Sequence, residues 1–152
     1  MNARLDALVD RYLTTMVDDY PVYATYLGIH EHDAELGDFT PEAIEKRHRH
    51  VTELLRDLTA MPLDDLDPPH GIDAAILRAE LRHTEFVHEN VRPHQTRPGF
   101  YLGTAIGGLN QLTVKDFAPL EERAASLASR LRLAPGVVDS MVRNLVDPPA
   151  VF

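Results

Sequence analysis

Leu5, Leu8, Val9, Tyr12, Met16 and Tyr20 recur at spacings of three and four, while Arg4, Asp10, Arg11 and Asp18 fall on other faces. That period predicts an amphipathic helix over residues 3–19. Pro21 interrupts it, and Val22–Leu27 followed by Gly28 predicts a short second helix closed by a C-terminal glycine, with a polar loop over 28–39. Thr40-Pro41-Glu42 joins a hydroxyl N-cap, a proline suited to the first helical position and a carboxylate near the positive end of the dipole. It opens a long helix over about 41–60 whose seam runs Ile44, His48, Val51, Leu55 and Leu58, widened by Leu54. Residues 61–70, with Asp64-Asp65-Leu66-Asp67-Pro68-Pro69, read as a connection. A second long helix, about 71–91 and antiparallel to the first, carries two stripes: Ile72, Ile76, Ala79, His83, Phe86 and Leu77, Leu81, Thr84, His88, Val91. Two apolar faces predict a place inside a bundle.

Residues 93–117 are the least regular stretch, with Pro98-Gly99 and Gly107-Gly108 among apolar residues, and predict a short helix broken by glycines. Pro119 starts a further helix with the seam Leu120, Ala124, Leu127, Leu131, Arg123 and Arg130 facing out; Pro135 starts the last, with the stripe Val138, Met141, Val142, Leu145. No segment alternates as a strand and no repeat emerges. The fold class is all-α: an irregular bundle of about five to six helices forming one unit over 1–152. The apolar stop, Asp147-Pro148-Pro149-Ala150-Val151-Phe152, leads to the expectation that this unit is the N-terminal part of a larger helical domain.

Composition narrows the function classes. With 44% hydrophobic and 26% charged residues the chain of 152 residues is that of a globular protein, and no apolar run reaches the ~20 residues of a membrane span. A net charge of -9 opposes general nucleic-acid binding. The absence of Cys removes disulfides, Fe–S clusters, thiol nucleophiles and Cys-type zinc sites. The N-terminus has no apolar signal region, so a cytoplasmic location is expected.

Chemistry must then come from His, Asp, Glu, Ser and Tyr. His30-Glu31-His32-Asp33 places imidazoles and a carboxylate where a loop could converge them on one ion, although a turn-forming polar loop accounts for the same residues and the spacing is not HExxH. Glu-x-x-His occurs at Glu45–His48, Glu80–His83 and Glu85–His88, a spacing that supplies ligands in di-iron bundles. If the two long helices are antiparallel, His48 and His83 fall at the same level on apolar seams and are expected to face each other. The further glutamates of a di-iron site are missing from the other helices. Ser126, Ser129 and Ser140 lack a glycine elbow, and Gly107-Gly108 is no phosphate loop but a flexible break or a point of close backbone approach. No catalytic residue and no firm metal ligand is assigned; the speculative ligand-binding residues are His30, His32, Asp33, His48 and His83.

Tyr20-Pro21-Val22-Tyr23-Ala24-Thr25-Tyr26-Leu27-Gly28-Ile29-His30, then Asp33, Leu36-Gly37-Asp38 and the Thr-Pro-Glu helix start, resemble the opening of the bacterial family catalogued as domain of unknown function 885. Ile72–Leu77, Arg130-Leu131-Arg132-Leu133-Ala134-Pro135 and Asn144-Leu145 fit as well, while His32 stands where the family tends to have an aromatic residue. The resemblance implies a much longer helical protein that looks like a zinc metallopeptidase of the HExxH type, carboxypeptidase-like, whose zinc helix lies far downstream of the matched region. This chain contains no HExxH, so the zinc ligands cannot be carried over. The resulting expectation is an N-terminal helical segment, inactive by itself and without a cofactor of its own, zinc belonging to a full-length relative. Its expected partner is the missing C-terminal part or a partner chain, with self-association open and neither nucleic acid nor membrane involved. The alternative is a stand-alone binding bundle using its His and Glu residues for a metal or polar ligand.

Overall fold

The computed structural model describes residues 3–62 and 66–146. Its elements are α1 (Ala3–Asp19), α2 (Pro21–Leu27), α3 (Pro41–Thr59), α4 (Pro68–Phe86) continuing into a π-helical turn (Val87–Val91), α5 (Pro93–Thr96), α6 (Pro98–Val114) and α7 (Leu120–Asn144). The all-α class holds, with no strand among the described residues. Asp64, Asp65 and the apolar stop at 147–152 lie outside them. No helix among them is long and apolar enough to cross a membrane.

Local chemistry explains most boundaries. Gly28 closes α2 in a left-handed conformation, φ 87°, which lets its own N–H and that of Ile29 return to the Thr25 and Ala24 carbonyls. Thr40 Oγ1 accepts the Ala43 N–H at 3.3 Å to start α3. α4 begins earlier than the predicted connection allows, at Pro68, because Asp67 caps it by accepting the His70 N–H and two prolines fill positions whose N–H groups have no helical partner. At the other end the helix widens into the π turn. Arg92 ends it with φ 50° and donates its N–H to the Val87 carbonyl at 2.9 Å.

The chain divides into two compact units. The first joins the stretch ending at Thr15 to Glu45–Arg92. Its core is Leu5 and Leu8 from α1, Leu54 and Leu58 from α3, Met61, and Ala74, Leu77 and Leu81 from α4. Burying each of the larger side chains stabilises the unit by about 1.5–3 kcal/mol. The start of α3 meets the end of α4 and its π turn, so the two long helices are antiparallel as expected. Only the Leu77–Leu81–His88 stripe turns inward. Ile72, Ile76, His83 and Phe86 are exposed, so α4 is packed on one face and is not enclosed.

The second unit joins Met16–Ile44 to the chain from Pro93 onward, and is built on the antiparallel pair α6 and α7. Leu36, Tyr101, Ala105 and Val137 form its small apolar centre, with Val22, Phe39, Phe100 and Met141 around it. Asn144 ties α7 to the loop before α3 by donating to the Phe39 carbonyl at 2.7 Å. Two expectations fail here. The glycine-rich stretch is a 17-residue helix, since its cost of about 1 kcal/mol per glycine is met by close packing: a Cβ on Gly108 would stand 2.8 Å from Val22 Cγ2 and 3.0 Å from Leu36 Cδ2. Of the two readings of Gly107-Gly108, Gly108 is the point of close approach. Likewise α7 runs unbroken through Pro135. Pro135 and Leu131, whose carbonyl loses its helical partner, both lie on the exposed side, where solvent can take the place of the lost bond.

Candidate functional site

The predicted orientation of α7 holds in part, since Met141 and Leu145 pack against the apolar centre as expected, and is reversed elsewhere. Arg130, expected on the surface, has 0% exposure, and Val137, Ser140 and Asn144 are buried with it. Leu120 and Leu131, expected in the seam, are 71% and 53% exposed, and Val138 and Val142 also face outward. Arg123 turns inward too, closing the end of α6 through the Leu112 and Ala118 carbonyls and Asp116.

The reversal follows from what Arg130 bonds. Its Nε–H donates to the Glu35 carbonyl at 2.8 Å, one terminal nitrogen to the Gly108 carbonyl at 2.7 Å and the other to Thr25 Oγ1 at 2.7 Å. The guanidinium thus joins α2, the loop after it, and α6. Burial pulls its pKa below the usual value, opposed by the Asp33 and Glu35 carboxylates; a guanidinium stays charged all the same. Gly108 is needed here as well, since a Cβ would crowd Arg130 at 3.4 Å.

From Thr25 the network continues outward. The Thr25 hydroxyl donates to Asp33 Oδ1 at 2.7 Å, with the Pro21 carbonyl a more distant alternative at 3.1 Å. Asp33 is buried, and its Oδ2 lies 2.9 Å from His30 Nδ1. The His30 ring lies flat against Phe117, centroids 3.9 Å apart and planes within 8°. A line of polar groups therefore runs from a buried cation through a hydroxyl and a buried carboxylate to an imidazole at the surface.

Of the candidate residues, His30 and Asp33 come together and His32 does not join them. His32 Nδ1 faces Glu35 Oε1 at 3.1 Å and its Nε2 faces Asp18 Oδ1 at 3.4 Å. The loop thus holds two separate His–carboxylate pairs, each at a spacing of three residues. No three His, Asp or Glu side chains among the described residues stand together as metal ligands.

His48 and His83 do not face each other. His48 stacks on His88, centroids 3.9 Å apart, because the inward stripe of α4 leads to His88 while His83 sits on the exposed one. Glu89 lies 3.6 Å from His48 Nε2 and Glu45 4.0 Å from His88 Nε2. His48 Nδ1 is buried and has no hydrogen-bond partner among the described residues. Desolvation lowers the pKa of His88, and the neighbouring His48 adds to the effect.

Arg130, Thr25 and Gly108 were not among the sequence candidates. A signal existed for Arg130: read as one helix, 120–144 carries Arg123, Arg130, Ala134, Val137, Met141 and Asn144 at spacings of seven, four, three, four and three. Splitting the helix at Pro135 conceals that stripe.

A profile of bacterial proteins of unknown function, DUF885, matches residues 21–150, from the start of α2 onward and across parts of both units. The chain belongs to this family. No curated protein matches it. The DUF885 chain is similar in fold to a solved structure from Shewanella oneidensis, a candidate lipoprotein of unknown function, with a TM-score of 0.81 at 23% identity. The match covers 95% of this chain and 26% of that one, so the DUF885 chain spans about a quarter of the length of that protein.

Proposed function

We propose that this chain acts as the N-terminal helical segment of a zinc-dependent, peptidase-like protein, walling a substrate cleft and inactive by itself. The observation that carries this reading is the outward apolar stripe of α7, Leu120, Leu131, Val138 and Val142, on a helix whose inner face is already filled by Arg130, Val137, Met141 and Asn144. Exposed apolar surface of that extent marks a place for further protein. The comparison structure is about four times the matched length, so that protein has further chain available to cover such a stripe. In this reading zinc and its general base belong to that further chain, since this sequence contains no HExxH.

An environment-sensitive dye together with sedimentation tests it. The 152-residue chain is expected to bind the dye and self-associate, and Leu131→Glu with Val142→Glu to abolish both. A dye-silent monomer with a cooperative melt would overturn the reading.

A second reading, a stand-alone bundle that binds a polar ligand in the first unit, is favoured by the buried, unpartnered His48 Nδ1. It requires measurable ligand or metal binding that is lost in His48→Ala.

A further inference from the structure

We propose that His30 is a proton-accepting site: Asp33 holds its imidazole as the Nδ1–H tautomer, and Nε2 accepts a hydrogen bond or a proton from an O–H or N–H group of a ligand lying over the loop. The inference is independent of the peptidase reading.

Four observations meet at this residue. Asp33 Oδ1 is taken by the Thr25 hydroxyl, so Oδ2 is the oxygen left for His30 Nδ1 at 2.9 Å. Arg130 holds the Thr25 hydroxyl from behind, which directs that hydroxyl's hydrogen to Asp33, and a carboxylate that only accepts takes the hydrogen of its second contact from His30 Nδ1. Phe117 covers one face of the ring and fixes its plane. The His30 side chain is 36% exposed against 10% for Asp33, so the line of polar groups ends at the surface, and Nε2 has no partner among the described residues.

A carboxylate on Nδ1 sets the tautomer and orients the ring, and it stabilises the imidazolium that forms when Nε2 takes up a proton. His32 supplies the contrast within the same loop. It has the same three-residue spacing to a carboxylate, but Glu35 is exposed and Asp18 occupies the region of Nε2. A loop closed for structural reasons alone would need only a pair of that second kind. The buried cation and hydroxyl behind Asp33 instead restrict one imidazole to one orientation.

Nitrogen-detected NMR of the wild-type chain above pH 8 reads the tautomer directly. His30 is expected to carry its proton on Nδ1. In parallel, timed carbethoxylation with diethyl pyrocarbonate, followed by peptide mass mapping, compares the histidines as bases. His30 is expected to react several-fold faster than the exposed His83, and Asp33→Asn to bring it down to the His83 rate. Thr25→Val, which keeps the carboxylate but removes the hydroxyl that fixes it, should give a rate between those of the wild type and Asp33→Asn. A proton on Nε2, or a wild-type His30 rate no higher than that of His83, overturns the proposal. Both wild-type readouts stand even if Asp33→Asn fails to fold.

Discussion

The two units of this DUF885 chain are stabilised by different means. The first has eight buried apolar side chains drawn from α1, α3, Met61 in the turn beyond it and α4. The second buries Ala24, Leu36, Ile44, Tyr101, Ala105, Leu112 and Val137, and among them a fully buried guanidinium bonded to two carbonyls and a hydroxyl from three segments. An apolar core tolerates exchange among side chains of similar volume, whereas a buried charge demands its partners in place. The first unit is therefore specified by a pattern and the second by particular atoms.

The sharpest way to break this contrast is Arg130→Ala. It leaves the Glu35 and Gly108 carbonyls and Thr25 Oγ1 without their charged donor, each buried acceptor so deprived costing about 1–3 kcal/mol, so it should destabilise the second unit by roughly 3–5 kcal/mol. Amide hydrogen exchange should show lost protection in α2, α6 and α7 and much less change in α4. Uniform loss across both units would mean that they unfold as one body.

Leu81→Ala makes the corresponding cut in the first unit. Denaturant unfolding should report a loss of about 2–5 kcal/mol, while Leu81→Met, which keeps the volume, should lose less than about 1.5 kcal/mol. No such conservative exchange is expected to exist at Arg130. Even Arg130→Lys, which retains the charge, cannot reach three acceptors in a planar fork. Thr25→Val removes only the hydroxyl between cation and carboxylate and should lower stability by about 1–3 kcal/mol, read from the same unfolding curves.

The smallest effect is that of pH on the first unit. The folded-state pKa of His88 lies below its ordinary 6.5, so between those values the unfolded chain binds more protons and stability falls as pH falls through that window. Asp67 acts oppositely on His70. The raised pKa there gives stability that is present in acid and lost as pH rises above 6.5. Comparing melting temperatures between pH 5 and 8 in wild type and His88→Gln separates the two: the acid-side loss should shrink in the variant.

How much of this was legible in the sequence tracks the same contrast. Periodicity located α1 and α3 nearly to the residue, because in those elements the hydrophobic pattern and the packed face coincide, while Pro21 and Gly28 marked the ends of α2 although its Tyr23, Tyr26 and Leu27 are exposed. It failed on α6, where tight packing at Gly108 offsets poor helix propensity, and on α7, where the apolar stripe faces outward and the polar one is buried. The His30–Asp33 pair was visible as a spacing, but the Thr25 and Arg130 groups that give it direction were not. Arg130 is 105 residues from Thr25 and 95 from Glu35, a separation at which no local pattern can signal a contact.

That separation also sets an order of events during synthesis. The last segment of the first unit is complete once Arg92 has emerged, whereas the second unit waits for α7. At about 5–20 residues per second, the roughly 50 residues in between take several seconds to add. For that interval α2 and its loop are already outside the ribosome, with the Thr25 hydroxyl and the Asp33 carboxylate formed into no finished structure. The residue that organises them arrives 105 residues after Thr25, so a nascent chain halted before Arg130 should leave the His30 loop open to protease while α3 and α4 are already protected.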